Sequence, residues 1–182
     1  MKVYRVRHDV NNYQSLFTND KQFYDIRFDC TNKAATWNPP QMFVLEPLLK
    51  EGDFISLPGG AHLVVRQTGL SKVRRFFMEA GELLPISFQG QELTLLNITR
   101  CFNYLDHDHS LFLKTAQGVN VYPKKYVFYA DRWAECSLFK IPETRAGEVL
   151  TLEVASDPEC EFKAAYEHYK MTGLKFELLW EG

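Results

Sequence analysis

Apolar and polar residues alternate along several short stretches of the chain, which is the pattern of half-buried β-strands. The stretch 2–10 has this alternation, whereas the denser apolar run 92–99 predicts a buried strand and 174–180 predicts a final strand. Each is bounded by turn-forming glycine or asparagine. Further strand-like runs are predicted at 22–30, 61–67, 111–114, 119–135, 137–141 and 147–154. The order of these runs predicts a strand-rich chain, in which 92–99 and 111–114 form a hairpin with a polar tip.

Helical spacing of apolar residues occurs in two stretches. One runs over 68–81, with Ser71 as its N-terminal cap and Gly81 as a left-handed stop. The other begins near Ser156-Asp157-Pro158, with either Asp157 or Ser156 as its cap, and ends at Gly173. The apolar residues that share one face are Val73, Phe76, Phe77 and Ala80 in the first helix and Phe162, Ala165, Tyr166 and Tyr169 in the second.

Strands therefore outnumber helices, and no internal repeat or low-complexity linker interrupts them. Two helices are too few to cover both faces of a doubly wound parallel sheet. The sequence thus predicts an α+β fold with a mainly antiparallel sheet and a few helices, as a single compact domain over 1–182. It also allows a division near Gly81 into a smaller N-terminal segment, 1–81, and a C-terminal segment, 82–182.

The balance of basic and acidic residues argues against a nucleic-acid partner. The chain has 21 basic and 23 acidic residues and a formal net charge of −2, whereas nucleic-acid binders are usually basic. The four cysteines contain no CxxC pair and lie in or beside apolar segments, which predicts buried free thiols in a reducing compartment. No apolar run has the length of a signal peptide or a membrane span. We expect a cytoplasmic protein that binds neither nucleic acid nor membrane.

One short turn gathers the chain's most conspicuous polar groups: Asp106, His107, Asp108 and His109. Carboxylate and imidazole groups can bind zinc, manganese or iron, which raises the alternative of a metal-dependent enzyme centred on this turn. Neighbouring residues on one turn cannot all point at one ion, and aspartate also caps turn amides, which favours a structural turn. The sequence contains no GxSxG motif and no complete phosphate loop, so we predict no catalytic, metal-binding or cofactor-binding residue.

Trp37 lies in a proline-rich stretch, 31–57, that opposes a long helix and is predicted to be irregular but packed. Its large ring has two interpretations. It anchors the stretch against the core, as aromatic side chains of this size usually do, or it presents an interaction surface.

Several short motifs resemble one protein family. They are Leu84-Pro85, Leu96-Asn97-Ile98, Leu105-Asp106 with Ser110, Leu138 to Pro142, Thr172 to Phe176, Trp37-Asn38-Pro39 and Gly52-Asp53-Phe54. This pattern resembles a bacterial immunity-protein family of polymorphic toxin systems, immunity family eleven, which was formerly a domain of unknown function. The likeness extends over about 37–180 and consists mostly of structural motifs.

The resemblance implies a cytoplasmic, non-catalytic protein that neutralises a cognate toxin by binding it. The family pattern supplies no catalytic residues, and His107, Asp108 and His109 match no family requirement. Many toxins that act on nucleic acids present basic clefts, so we hypothesise that the acidic turn covers such a cleft. The partner-binding residues predicted on this basis are Asp106, His107, Asp108, His109 and Trp37.

Overall fold

In the computed structural model, which describes residues 1–59, 61–132 and 136–182, short strands outnumber helices. The strands are β1 (Lys2–His8), β2 (Leu16–Phe17), β3 (Phe43–Val44), β4 (Phe54–Ile55), β5 (Leu63–Arg66), β6 (Gly81–Phe88), β7 (Gln91–Ile98), β8 (Leu111–Lys114), β9 (Asn120–Lys125), β10 (Leu138–Phe139), β11 (Val149–Glu153) and β12 (Leu174–Glu181). The helices are α1 (Lys21–Asp25), α2 (Gln67–Ala80) and α3 (Phe162–His168), with 3₁₀ turns at Ala34–Thr36 and Pro142–Thr144. The last three residues of the strand-like run 119–135 lie outside the described residues.

Two four-stranded sheets form the framework. The first sheet has the order β10-β11-β1-β12, and the second has the order β4-β5-β7-β6. Two small two-stranded sheets, β2-β3 and β8-β9, complete the described portion of the fold, and every strand pair is antiparallel. The predicted α+β class with a mainly antiparallel sheet is therefore confirmed.

Each large sheet combines strands from both sides of residue 81. In the first sheet, the N-terminal β1 lies between β11 and β12 from the end of the chain. In the second sheet, β5 pairs with β7, which follows residue 81. The segments 1–81 and 82–182 consequently share both sheets, and the fold is a single compact domain.

The central core lies where the two sheets meet α2 and α3. It joins residues of the first sheet, such as Val6 and Val149, to residues of the second sheet, such as Val65 and Ile98. The inner faces of the helices supply most of its aromatic volume: Phe76 and Phe77 from α2 and Phe162 and Tyr166 from α3. The predicted inner faces are thus confirmed, except that Tyr169 is exposed at the end of α3.

Helix α2 lies where the sequence predicts a helix, but both of its predicted end signals are wrong. The helix begins at Gln67, directly after β5, and the Ser71 hydroxyl donates to the Thr68 carbonyl instead of capping the start. Gly81 has extended backbone, with φ of 171°. A side chain there would place a Cβ 2.0 Å from the Asn97 carbonyl oxygen, so close approach of β7 explains the glycine.

Two other segments also differ from the prediction. The predicted strand 22–30 is instead the short helix α1 and a loop, because the Asp20 carboxylate accepts a hydrogen bond from the Gln22 N–H and caps the helix. Helix α3 starts at Phe162, since Asp157 caps a separate preceding turn. It ends before Lys170, which has φ of 50°.

The prediction of buried thiols holds for one cysteine. All four cysteines are free, and Cys136 is buried. Cys30 is partly buried, and Cys101 and Cys160 are exposed. Within the described residues, no helix has the length and apolar character needed to cross a membrane.

Candidate functional site

The polar turn, defined as residues 106–109, is held by the segment that follows β7. Leu105 is buried and forms a bridge with Phe128, and the Asp106 N–H donates to the Val127 carbonyl at 2.8 Å. At the other end, Ser110 donates its hydroxyl to the Val127 carbonyl and accepts from the Val127 N–H. These contacts fix both ends of the turn against one neighbouring strand-like segment.

Asp106 is the structural residue of the polar turn. One carboxylate oxygen accepts the backbone N–H groups of Asp108 and His109 at 3.0 and 3.1 Å, and the other lies 2.8 Å from Nδ1 of His109. Loss of hydration raises the pKa of this carboxyl, but the hydrogen bonds from His109 and the backbone outweigh that effect and hold the pKa below its ordinary value. Only 14% of the side chain is exposed, so Asp106 has little surface to offer a partner.

The two histidines of the polar turn have different partners. Nε2 of His107 lies 2.6 Å from Oε1 of Glu143, and the His107 ring lies 5.3 Å from the ring of Phe112. His109 pairs with Asp106 instead. Across 1–59, 61–132 and 136–182, no group of three His, Cys, Asp or Glu side chains could hold a metal ion. The part of the chain that the structure describes therefore contains no converging ligand set for the metal-dependent alternative.

The division of roles within the polar turn leads to a stability prediction. Asp106→Ala removes three hydrogen bonds and should lower Tm by about 2–4 °C. Asp108→Ala removes an exposed side chain and should change Tm by less than about 1 °C. Thermal unfolding followed by circular dichroism measures both, and equal losses in the two variants would contradict the assigned roles.

The polar turn leads directly into a hairpin of β8 and β9. The predicted pairing of 92–99 with 111–114 is wrong, because β7 pairs with β5 and β6 while β8 pairs with β9. A tight turn closes the hairpin: Gly118 has φ of +81°, and the Thr115 side chain accepts from the Gln117 and Val119 N–H groups. The hairpin belongs to neither large sheet.

Four apolar residues of this hairpin are exposed. We define the hairpin face as Leu111, Leu113, Val119 and Tyr122, whose exposed fractions are 61%, 46%, 62% and 37%. Leu113 and Tyr122 are direct cross-strand partners, so they lie side by side. Phe112 points the other way, because successive strand residues alternate, and it packs against the third hydrophobic cluster.

A buried ionic network fixes the base of the hairpin. The Tyr122 and Tyr126 hydroxyls both donate to the carboxylate of Glu148, and Arg5 forms a salt bridge with that same carboxylate at 2.5 Å. The Glu148 side chain is 8% exposed and that of Arg5 is 11% exposed. An isolated two-stranded hairpin is only marginally stable in water. We infer that these contacts with the rest of the fold stabilise the hairpin of β8 and β9.

Trp37 lies in a different region of the fold from the polar turn. Its ring packs edge-on against Phe23 at 6.4 Å, and its indole N–H donates to the Pro85 carbonyl at 2.8 Å. It belongs to the second hydrophobic cluster, whereas the polar turn adjoins the third. The structure thus favours the anchoring interpretation of Trp37 and does not bring it together with Asp106 to His109.

Sequence reasoning missed a buried polar centre. Lys140 and His62 are each 0% exposed, and neither nitrogen of the His62 ring has a hydrogen-bond partner among the described residues. The available signal was a lysine within the otherwise apolar run 138–141.

The comparisons with known proteins provide no further assignment: no protein-family model matches this chain, and no curated protein does. The resemblance to the immunity family therefore rests on the sequence motifs.

Proposed function

We propose that this chain is a cytoplasmic immunity protein of a bacterial polymorphic toxin system, and that it neutralises a cognate toxin by stoichiometric binding without catalysis. The observation that carries the proposal is the hairpin face. Single exposed apolar side chains are common on soluble proteins, but clustered ones indicate a contact site. Here the cluster follows directly from the polar turn that the sequence singled out.

The arrangement around the hairpin face has the anatomy of a protein interface. Such interfaces have an apolar centre with aromatic anchors and a polar, hydrated rim. Leu113 and Tyr122 supply the centre, Lys125 is an exposed polar residue directly opposite Leu111, and the exposed Asp108 and His109 precede β8 in the chain. Asp108 is the exposed carboxylate of the polar turn, so it is the residue that would meet a basic cleft on a toxin.

The Tyr122 side chain of the hairpin is also held in place before any partner binds. The Tyr122 ring is exposed while its hydroxyl is held by Glu148, so binding would restrict little additional motion of this side chain. A rigid, exposed face suits an inhibitor, which requires shape and charge complementarity to its target rather than a nucleophile.

A matched pair of leucines tests the location of the interface. Leu113→Asp places a charge in the centre of the hairpin face and should weaken binding of the toxin by at least about 100-fold. Leu178→Asp is the control, since Leu178 is also on a strand and is exposed to 49%, compared with 46% for Leu113. Calorimetric titration of each variant with the toxin captured from the native host measures the effect. Equal affinities of the two variants would place the interface elsewhere.

A further inference from the structure

A buried lysine lies beside two cysteines that come from separate segments of the chain. Lys140 is 0% exposed, and its ammonium group donates to the Phe28 carbonyl. Cys101 forms a parallel bridge with Lys140, and two backbone hydrogen bonds of 2.9 Å, from Phe102 to Lys140 and from Lys140 to Arg100, flank that bridge. Cys101 is therefore fixed next to the lysine by the backbone.

Cys30 reaches the same place from the loop after α1. It is two residues beyond Phe28, whose carbonyl holds Lys140, and it has φ of 69° in the left-handed region, which side-chain-bearing residues rarely adopt. The Cys30 and Cys101 thiols lie close enough for each to shift the pKa of the other. Cys30 is partly buried and Cys101 is exposed, so solvent-borne reagents have access to the pair.

The pKa values of the two thiols are shifted in opposite directions. The hydrogen bond from Cys101, aided by the nearby Lys140 charge, lowers the pKa of Cys30, while the same bond and burial raise the pKa of Cys101. Burial lowers the pKa of Lys140 to about 8, and the two thiols and Asp29 oppose that shift. Within the described ranges, no salt bridge joins Lys140 to a carboxylate, and Cys30 is the largest of the influences that oppose the lowering of the Lys140 pKa.

We propose that Cys30 and Cys101 form a redox-active dithiol, in which Cys30 is the attacking thiolate and Cys101 is the resolving thiol, and that a low-molecular-weight disulfide oxidises the pair. Cys30 Sγ attacks one sulfur of glutathione disulfide, which forms a mixed disulfide and releases one glutathione thiolate. Cys101 gives its proton to solvent, attacks Cys30 Sγ and releases the second glutathione thiolate. Two protein thiols are oxidised to one disulfide, and one glutathione disulfide is reduced to two thiols.

The disulfide would connect two segments that are distant in sequence. It would tie the loop before the 3₁₀ turn Ala34–Thr36 to the segment between β7 and the polar turn. Closing a loop of this size restricts the unfolded chain, so the oxidised protein should have a higher Tm than the reduced protein. It would also remove both free thiols beside Lys140. This inference is independent of toxin binding.

Counting reactive thiols in the full-length protein tests the proposal. The test uses Cys160→Ser, because the exposed Cys160 would itself form a mixed disulfide with the reagent. After incubation of this variant with excess glutathione disulfide and removal of the reagent, N-ethylmaleimide should add to one of the three remaining cysteines under denaturing conditions, whereas the reduced variant should take up three adducts. Peptide mapping should locate the bridge between Cys30 and Cys101. Three adducts after oxidation, or a bridge between other cysteines, would overturn the proposal.

Two further measurements test the assigned roles. At neutral pH, Cys30 should react with iodoacetamide at least about 10-fold faster than Cys160, an exposed cysteine that is hydrogen-bonded to Asp157. Lys140→Met should slow alkylation of Cys30 and leave the rate at Cys160 unchanged. Equal rates at Cys30 and Cys160 in the wild-type protein would contradict the thiolate role, and this comparison does not depend on the variant folding.

Discussion

Replacing Phe162 with alanine is expected to reduce the free energy of unfolding by about 3–5 kcal/mol, because it leaves a cavity in the centre of the core. Phe162 is 0% exposed and opens α3 at the junction of the two large sheets. Its ring centroid lies 5.9–6.5 Å from those of Phe54, Phe76, Phe77, Tyr166 and Phe176. The loss would be a large fraction of the total stability of a typical domain.

Guanidinium unfolding curves measure this effect, and Tyr169→Ala is the matched control. Tyr169 lies at the other end of α3 and is exposed to 38%, so its replacement should cost less than about 1 kcal/mol. If both variants lost the same free energy of unfolding, the junction of sheets and helices would not be the main core.

Acidification is expected to destabilise the protein through His62. Burial lowers the pKa of His62 to about 3, and the neighbouring His8 and Lys140 charges act in the same direction. In the unfolded chain, histidine binds a proton below about pH 6.5. Between about pH 6.5 and 3 the unfolded state therefore binds more protons at this residue than the folded state does, and stability falls as the pH falls. From about pH 7 to pH 5, His62 alone should cost about 2 kcal/mol.

His8 adds to the same trend, since burial lowers its pKa to about 4. His8 retains some exposed surface although its Nδ1 atom is buried and has no partner among the described residues, so the quantitative prediction rests on His62. Guanidinium unfolding at about pH 5, 6 and 7 should show a smaller pH effect in His62→Leu than in the wild-type protein, by about 2 kcal/mol over this interval.

The control for this measurement is His168→Leu at the exposed end of α3, which should leave the pH effect unchanged. The substitution His62→Leu should be tolerated at neutral pH, because the His62 ring packs against Phe28 with 4.7 Å between the ring centroids. In addition, neither nitrogen of the His62 ring has a hydrogen-bond partner within the described residues. An undiminished pH effect in His62→Leu would show that other groups cause the acid sensitivity.

The elements that the sequence predicts correctly are those in which local pattern and tertiary packing agree. Helix α2 has four apolar residues at helical spacing on one face, and all four are buried in the central core. Strand β7 has a dense apolar run because it lies between β5 and β6. In both cases, the residues that determine the element lie within the element.

The errors occur where distant residues decide the outcome. The run 22–30 alternates like a strand, but the Asp20 cap and the burial of Phe23 favour α1. The sequence predicts that the strand after the polar turn pairs with β7, although β7 already has partners on both sides and β8 is left to pair with β9. Hydrophobic pattern identifies a strand but does not identify its neighbour.

In the candidate site, too, the local features could be predicted from the sequence and the contacts between distant residues could not. The capping role of Asp106 is local and could be predicted from the sequence. The contact of His107 with Glu143 joins residues 36 positions apart, and the meeting of Cys30, Cys101 and Lys140 joins three separate segments. The exposure of Leu113 and Tyr122 could not be predicted either, because apolar strand residues have the same pattern whether a core or a partner covers them.

The most direct test of stoichiometric toxin neutralisation is affinity capture of the tagged protein from its native host. Co-purifying proteins are identified by mass spectrometry, and the dominant one is expressed in cells with and without this chain. The proposal predicts a partner at one-to-one stoichiometry that kills cells alone and is harmless when this chain is present. A captured partner that is not toxic, or toxicity that this chain does not relieve, would contradict it.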